Sequence, residues 1–291
     1  MPAKRKKLQA TRTMFFHQSM WDITTLVSLL DGMIILGFYT YFLVYLNYEV
    51  FELKLKMTGV VHSILGLALG LLLVFRTNTA YERWWEGRRM WGSLINNSRN
   101  FAIKVNAFFT QPQDREFFKR HIPAFAFALK HHLRDNSDVN NLHSLTSQDK
   151  QALANAQNLP SMIVKRMYEL VALRNNDNSL HESHLLSLDA HLKEFVDVMG
   201  ACDRIRSTPM PQAYNTHLNQ FLNLYTISLP FSLIHDLKYW TILVVVFTFY
   251  ALAGLKLIGE EIEDPFGKDI NDLPLDAICQ SIERSVNEIL A

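Results

Sequence analysis

Apolar positions gather into four stretches arranged in two pairs. The first, residues 23–46, is crossed by Asp31 and Gly32. A carboxylate at mid-bilayer is costly unless it faces protein or water, so the pattern predicts an interfacial helix up to Leu30, a bend at Gly32, and then a span. The second stretch covers 58–75. The third, 213–234, carries Asn215, His217, Asn219, Gln220 and Asn223, which predicts a helix facing protein or water rather than lipid. The fourth, 239–258, is rich in Val, Phe and Leu and is the cleanest membrane span. Short connections, 47–56 and 235–238, join the members of each pair.

The long region 76–212 between the pairs is polar overall and repeats its apolar residues at helical spacing. The segments "WGSLINNSRNFAIKVNAFF", "FFKRHIPAFAFALKHHL", "SMIVKRMYELVAL" and "HLLSLDAHLKEFVDVMGACDRI" each predict a helix, several preceded by Ser or Asp able to cap the first turn. Residues 134–147 predict a loop, and Pro209 and Pro211 break the chain before the third apolar stretch. "LPLDAICQSIERSVNEIL" predicts a closing amphipathic helix, and strand alternation and internal repeats are absent. The organisation expected is therefore a first segment 1–75 with two spans, a helical water-exposed region 76–212, a second pair of spans in 213–258, and a tail 259–291.

"GLLLVFRTNTAYERWW" passes from apolar to charged and aromatic with no Pro and no Gly after its first residue, as one continuous helix would. Within its apolar half, Gly59, Gly66 and Gly70 permit close helix approach. Leu67, Leu71 and Phe75, at i, i+4 and i+8, share one face. On periodicity alone that stripe reads as packing core.

Charge and composition narrow the class. The 291 residues carry a formal charge of +1, and 49% are hydrophobic, which suits a few membrane segments joined to a sizeable water-exposed part. Near-neutral charge disfavours nucleic acid as a partner. Cys202 and Cys279 lie far apart, without metal spacing, and read as buried apolar fillers. The basic "MPAKRKKLQATR" lacks the features of a removable signal peptide. Together with Arg76, Arg83, Arg88, Arg89 and Arg99 it places both termini and the long middle region in the cytoplasm by the positive-inside rule.

Histidines offer little chemistry. His181 and His184 at i, i+3, with His191 two turns on, do not make the HExxH zinc pattern, and the adjacent His131 and His132 point to different sides of a helix. His62 reads either as a pore-mouth residue or as a hydrogen-bonded packing histidine. A phosphate-binding Gly loop, a nucleophile elbow and a catalytic carboxylate pair are all missing, so an enzyme is a poor reading.

Three strings, "FRTNTAYERWWEGRRMWG", "STPMPQAY" and "EEIEDPFGKDINDLPLDAIC", together resemble the bestrophin family, specifically its bacterial members, in order and spacing over nearly the whole chain. The resemblance implies an all-α membrane protein with four transmembrane helices per subunit and a large helical cytosolic region. It also implies a homopentamer around a central pore in the bacterial inner membrane. It maps the apolar neck of the pore onto Leu67, Leu71 and Phe75, and a cytosolic aperture onto Ser183. Ser183 stands where the family generally has an apolar residue, and Glu182 and His184 flank it. The calcium clasp of eukaryotic members maps onto Glu261, Asp264, Asp269 and Asp272, which otherwise read as a helix-terminating turn with exposed acids; bacterial members lack evident calcium gating. The function implied is a channel for small monovalent ions, cations favoured, whose partners are copies of itself, the permeant ions and the bilayer. A chloride or bicarbonate channel and a non-conducting membrane scaffold stand as alternatives.

Overall fold

The computed structural model describes residues 24–50, 59–136 and 138–291, with side chains from Val27 onward. The basic stretch 1–12 and most of the first short connection lie outside the described residues. Among the described residues the long regular elements are all helical. In chain order they are α1 (Thr24–Tyr45, followed by a π-turn at Leu46–Val50), α2 (Gly59–Phe108), α3 (Pro112–Leu133), α4 (Ser147–Leu153) and α5 (Leu159–Asn176). They continue with α6 (Glu182–Ser207), α7 (Gln212–Leu237), α8 (Trp240–Glu261) and α9 (Leu275–Ile289).

The chain forms two compact units, one of residues up to Thr79 with Met210–Glu260, the other of Ala80–Pro209 with Glu261–Ala291. Helix α2, 50 residues long, contributes its first part to the first unit and the rest to the second.

In the first unit α1, α2 and α8 are long and apolar enough to cross a membrane, and α7 is not counted with them because its polar residues dilute it. Leu218 and Leu222 of α7 pack with Leu69, Leu73 and Ala253, while Leu229 packs with Leu36 and Val245. Asn215 turns inward to α2, whereas His217, Gln220 and Asn223 are exposed on the other side. The helix α1 continues through Gly32 without interruption. Gly32 serves packing: a Cβ there would lie 2.9 Å from the Phe249 ring of α8. Gly66 has the same use, since its Cβ would meet the Tyr225 hydroxyl at 2.7 Å, but Gly70 has nothing within 4 Å and makes no close approach within the chain.

In the second unit α3 is central and packs on α5, α6 and α9. Aromatic rings fill the space between helices. Phe101 of α2 meets Phe118 of α3 edge-on at 5.4 Å and Phe195 of α6 at 5.8 Å, and Phe125 meets Phe195 at 4.9 Å. Helix α9 buries Leu275, Ile278, Cys279, Ile282 and Val286, one face at helical spacing. Asp276, on its first turn, takes Lys130 at 2.8 Å and Arg134 at 3.0 Å, and both cations hold its carboxyl below the usual range. Arg174 grips the buried Asp114 with two nitrogens at 2.7 and 3.0 Å, tying α5 to α3. Thr146 and Asp149 form a capping box on α4, and Asn158 caps α5. Cys202 and Cys279 are buried free thiols, as their spacing predicts, and burial pushes both up to about 12.

Candidate functional site

Helix α2 divides its first unit into two faces. Leu69, Leu73 and Arg76 are buried, while Leu67, Leu71 and Phe75 are 67%, 51% and 63% exposed. The stripe that periodicity assigns to packing core is therefore no part of this chain's own core. Three large apolar side chains in a row on an exposed face require a cover of lipid, of another chain, or of copies of themselves.

The buried face of α2 is held by polar contacts to α7. His62 Nε2 lies 3.0 Å from the Ser228 hydroxyl with its ring 4% exposed, which makes it a packing histidine rather than a pore-mouth residue. The Tyr214 hydroxyl donates to the Leu72 carbonyl at 2.9 Å, and Arg76 Nε donates to Asn215 at 3.0 Å. In the second unit Arg83 Nε and Nη2 donate to the carbonyls of Glu263 and Ile205 at 3.1 and 2.6 Å, and its Nη1 to that of Thr208. Trp84 Nε1 donates to the Asn271 carbonyl at 2.9 Å, and its ring stacks between Tyr81 and Trp85. Sequence reasoning took Arg76 and Arg83 as topological charges at the membrane–water border or in subunit packing. Both are structural anchors, whereas Arg88 and Arg89 are exposed and form no ion pair among the described residues.

The segment carrying Ser183 opens α6. Glu182 and Ser183 are exposed, and the Ser183 N–H donates to Nδ1 of the capping His181 at 3.2 Å. His184 stacks flat on Phe108, the last residue of α2, at 4.0 Å and 2°. A ladder between α2 and α6 extends from that contact. Lys104 donates to the Ser187 carbonyl at 3.3 Å, Asn97 pairs with the His191 ring at 2.6 Å and its carbonyl at 2.9 Å, and Ser93 donates to Glu194 at 2.6 Å. The rungs rise along one helix as they fall along the other, so the two run antiparallel. Burial, reinforced by Lys104 and opposed by Glu194, lowers the pKa of His191.

Of the four acids of the clasp equivalent, Asp264, Asp269 and Asp272 lie near one another around Gly267, and Glu261 is turned to Asn271. Glu261 accepts from Asn271 Nδ2 at 2.8 Å, Asp264 from the Phe266 N–H at 3.3 Å, and Asp272 from the Asp269 N–H at 2.6 Å. Among the described residues no three acidic, His or Cys side chains gather as a metal cage. Glu261, Asp264 and Asp272 each accept a hydrogen bond from within the turn, while Asp272 Oδ1 is buried without a partner. Burial, with the nearby Asp269 and Asp264 charges, raises the pKa of Asp272.

One buried histidine gives a pH signature. His121 Nδ1 donates to the Phe117 carbonyl at 2.8 Å, its ring stacks on Phe117 at 3.7 Å, and its Nε2 lies 3.8 Å from Asp149 without a hydrogen bond. Burial lowers its pKa from 6.5 to about 4, with Arg166 and Arg120 aiding and Asp149 opposing. As pH falls below 6.5 the unfolded chain takes up a proton that the folded one refuses until about 4. The second unit therefore loses stability across that window and levels off below it. In acid-unfolding curves, His121→Met flattens this loss; an unchanged slope between the two pH limits contradicts the assignment.

The family model described as Bacterial/Fungal Bestrophin protein matches residues 3–288. A voltage-dependent anion channel-forming protein of Nostoc sp. is 41% identical over 249 residues, covering 82% of this chain and 80% of that protein. The voltage-dependent anion channel-forming protein YneE of Escherichia coli K12 is 37% identical over 236 residues, covering 80% of this chain and 77% of that protein. The crystal structure of a bacterial bestrophin homologue from Klebsiella pneumoniae superposes with a TM-score of 0.84 at 27% identity, covering 90% of this chain and 98% of that one. With a match of this extent and an all-helical fold of the same kind, the chain belongs to the bacterial/fungal bestrophin family.

Proposed function

We propose that the protein is a membrane ion channel, a homopentamer whose α2 helices surround one axis, and that small anions are its permeant ions. In this reading α1, the first part of α2, α7 and α8 cross the bacterial inner membrane, with both termini, the region 76–212 and the tail 259–291 in the cytoplasm. Leu67, Leu71 and Phe75 meet their copies as a neck that closes by dewetting, without a charged plug.

The observation that carries the reading is the exposed apolar row on α2, back to back with a buried face that fixes its direction. Burial of that row among copies removes it from water, and the family membership supports the same assembly. The names of the Nostoc and Escherichia relatives support anions over the cation preference drawn from resemblance alone. Exposed Arg88 and Arg89 suit that sign, because neither is neutralised by an ion pair among the described residues. The exposed Glu182 favours the opposite sign at the aperture, where a ring of carboxylates attracts cations.

Planar-bilayer recording in a potassium chloride gradient tests the reading. The account expects currents that reverse toward the chloride equilibrium potential. Reversal toward the potassium potential makes the channel cationic, and silence makes it a scaffold. Glu182→Gln is expected to shift the reversal potential further toward chloride, and an unchanged value removes Glu182 from the ion path.

A further inference from the structure

We propose that Arg76 is a positioning residue of the neck, a buried guanidinium that locks α2 against α7 and α8 and so sets where Phe75 stands. The proposal rests on the channel reading above. Arg76 follows Phe75 directly, yet it is 1% exposed while Phe75 is 63% exposed. Neighbours on a helix diverge by about 100°, so Phe75 faces outward whenever Arg76 is seated inward.

Three nitrogens of the guanidinium have three different partners. Nε donates to Asn215 Oδ1 at 3.0 Å, Nη1 donates to the Lys256 carbonyl at 3.0 Å, and Nη2 lies 3.8 Å from Glu260 Oε1. Glu260 also takes Lys256 Nζ at 3.2 Å. The planar fork satisfies these contacts in one orientation only, which a flexible ammonium would not impose. Space for it comes from Gly259, where a Cβ would sit 3.3 Å from Nη1. The Tyr214 hydroxyl adds a bond to the Leu72 carbonyl, the acceptor that helix geometry pairs with the Arg76 N–H. Within one turn, then, α2 is fastened to α7 twice and to α8 through both a carbonyl and a carboxylate.

A helix held this way does not turn or slide alone, because doing so strands a buried cation. Phe75 leaves its place only when the clamp opens or when α2, α7 and α8 move together. The clamp therefore favours the narrow neck without touching the ion path.

Single-channel recording of Arg76→Gln, Asn215→Ala and Gly259→Ala tests this. Asn215→Ala removes one partner, and Gly259→Ala presses on the guanidinium while keeping every polar group. Open probability is expected to rise by about tenfold, equivalent to ~1.4 kcal/mol, with conductance per opening and ion selectivity unchanged. Arg76→Lys keeps the charge beside Glu260 but not the fork, and is expected to fall between wild type and Arg76→Gln. A purely structural role would lower melting temperature and leave open and closed dwell times alone. Should Arg76→Gln fail to assemble, the two milder variants decide. Wild-type dwell times, or a lower open probability, in conducting Asn215→Ala and Gly259→Ala channels overturn the proposal alone. A silent wild type overturns the channel reading and the proposal with it.

Discussion

Phe75→Ala is expected to raise the current through the reconstituted protein by about tenfold at fixed voltage and protein amount, the change that a ~1.4 kcal/mol fall in the permeation barrier produces. The residue is 63% exposed, so truncation removes little packing inside the chain. In the proposed channel it removes a phenyl ring from each subunit at one level of the neck, where a narrow apolar ring would keep water out. Leu73→Ala is the matched control. Leu73 is fully buried two residues away, so its truncation costs about 2–5 kcal/mol of stability. That variant should reduce the yield of assembled protein without enlarging the current per channel. Equal currents from wild type and Phe75→Ala, with assembly intact, would remove the stripe from the ion path.

Phe101→Ala is expected to destabilise the second unit by about 3–5 kcal/mol. Phe101 is fully buried and makes edge-on contacts with Phe118 at 5.4 Å and Phe195 at 5.8 Å, so it joins α2, α3 and α6 at one point. No neighbouring ring is free to collapse into the space, because each is already engaged with another. Paired aromatic geometry adds to the loss from burial alone. A fall of roughly 10 °C in the melting temperature of that unit follows for a unit of this size. Phe101→Leu should recover most of it by refilling the volume. Unchanged melting in the alanine variant would mean that the aromatic cluster does not hold these helices together.

Much of this was legible in the residues. The all-helical class, the apolar lengths of α1, α2 and α8, and the amphipathic α9 follow from periodicity, which reports how each helix distributes its burial. The three-residue stripe on α2 was visible as a stripe. Its exposure was not, because i, i+4 spacing says that side chains share a face and not what covers that face. The packing role of Gly32 was hidden for a related reason: glycine permits both a bend and a close approach, and the Phe249 ring that it approaches comes from a helix more than two hundred positions away. Arg76 and Arg83 look alike in sequence to Arg88 and Arg89. Only their distant partners, Asn215 and the Lys256 carbonyl for one and the carbonyls of Ile205 and Glu263 for the other, turn two of the four into anchors. His121 shows no local sign of its buried state, which depends on Phe117 beside it and Asp149 from α4.

Thiol modification of Leu71→Cys during bilayer recording tests the central claim most directly. The native cysteines are buried with pKa values near 12, so they leave the background quiet toward a water-borne thiol reagent. The account predicts that a charged methanethiosulfonate blocks the current of the variant irreversibly while sparing wild type. A variant that keeps its full current after exhaustive exposure, with its new thiol shown to be modified, would contradict it.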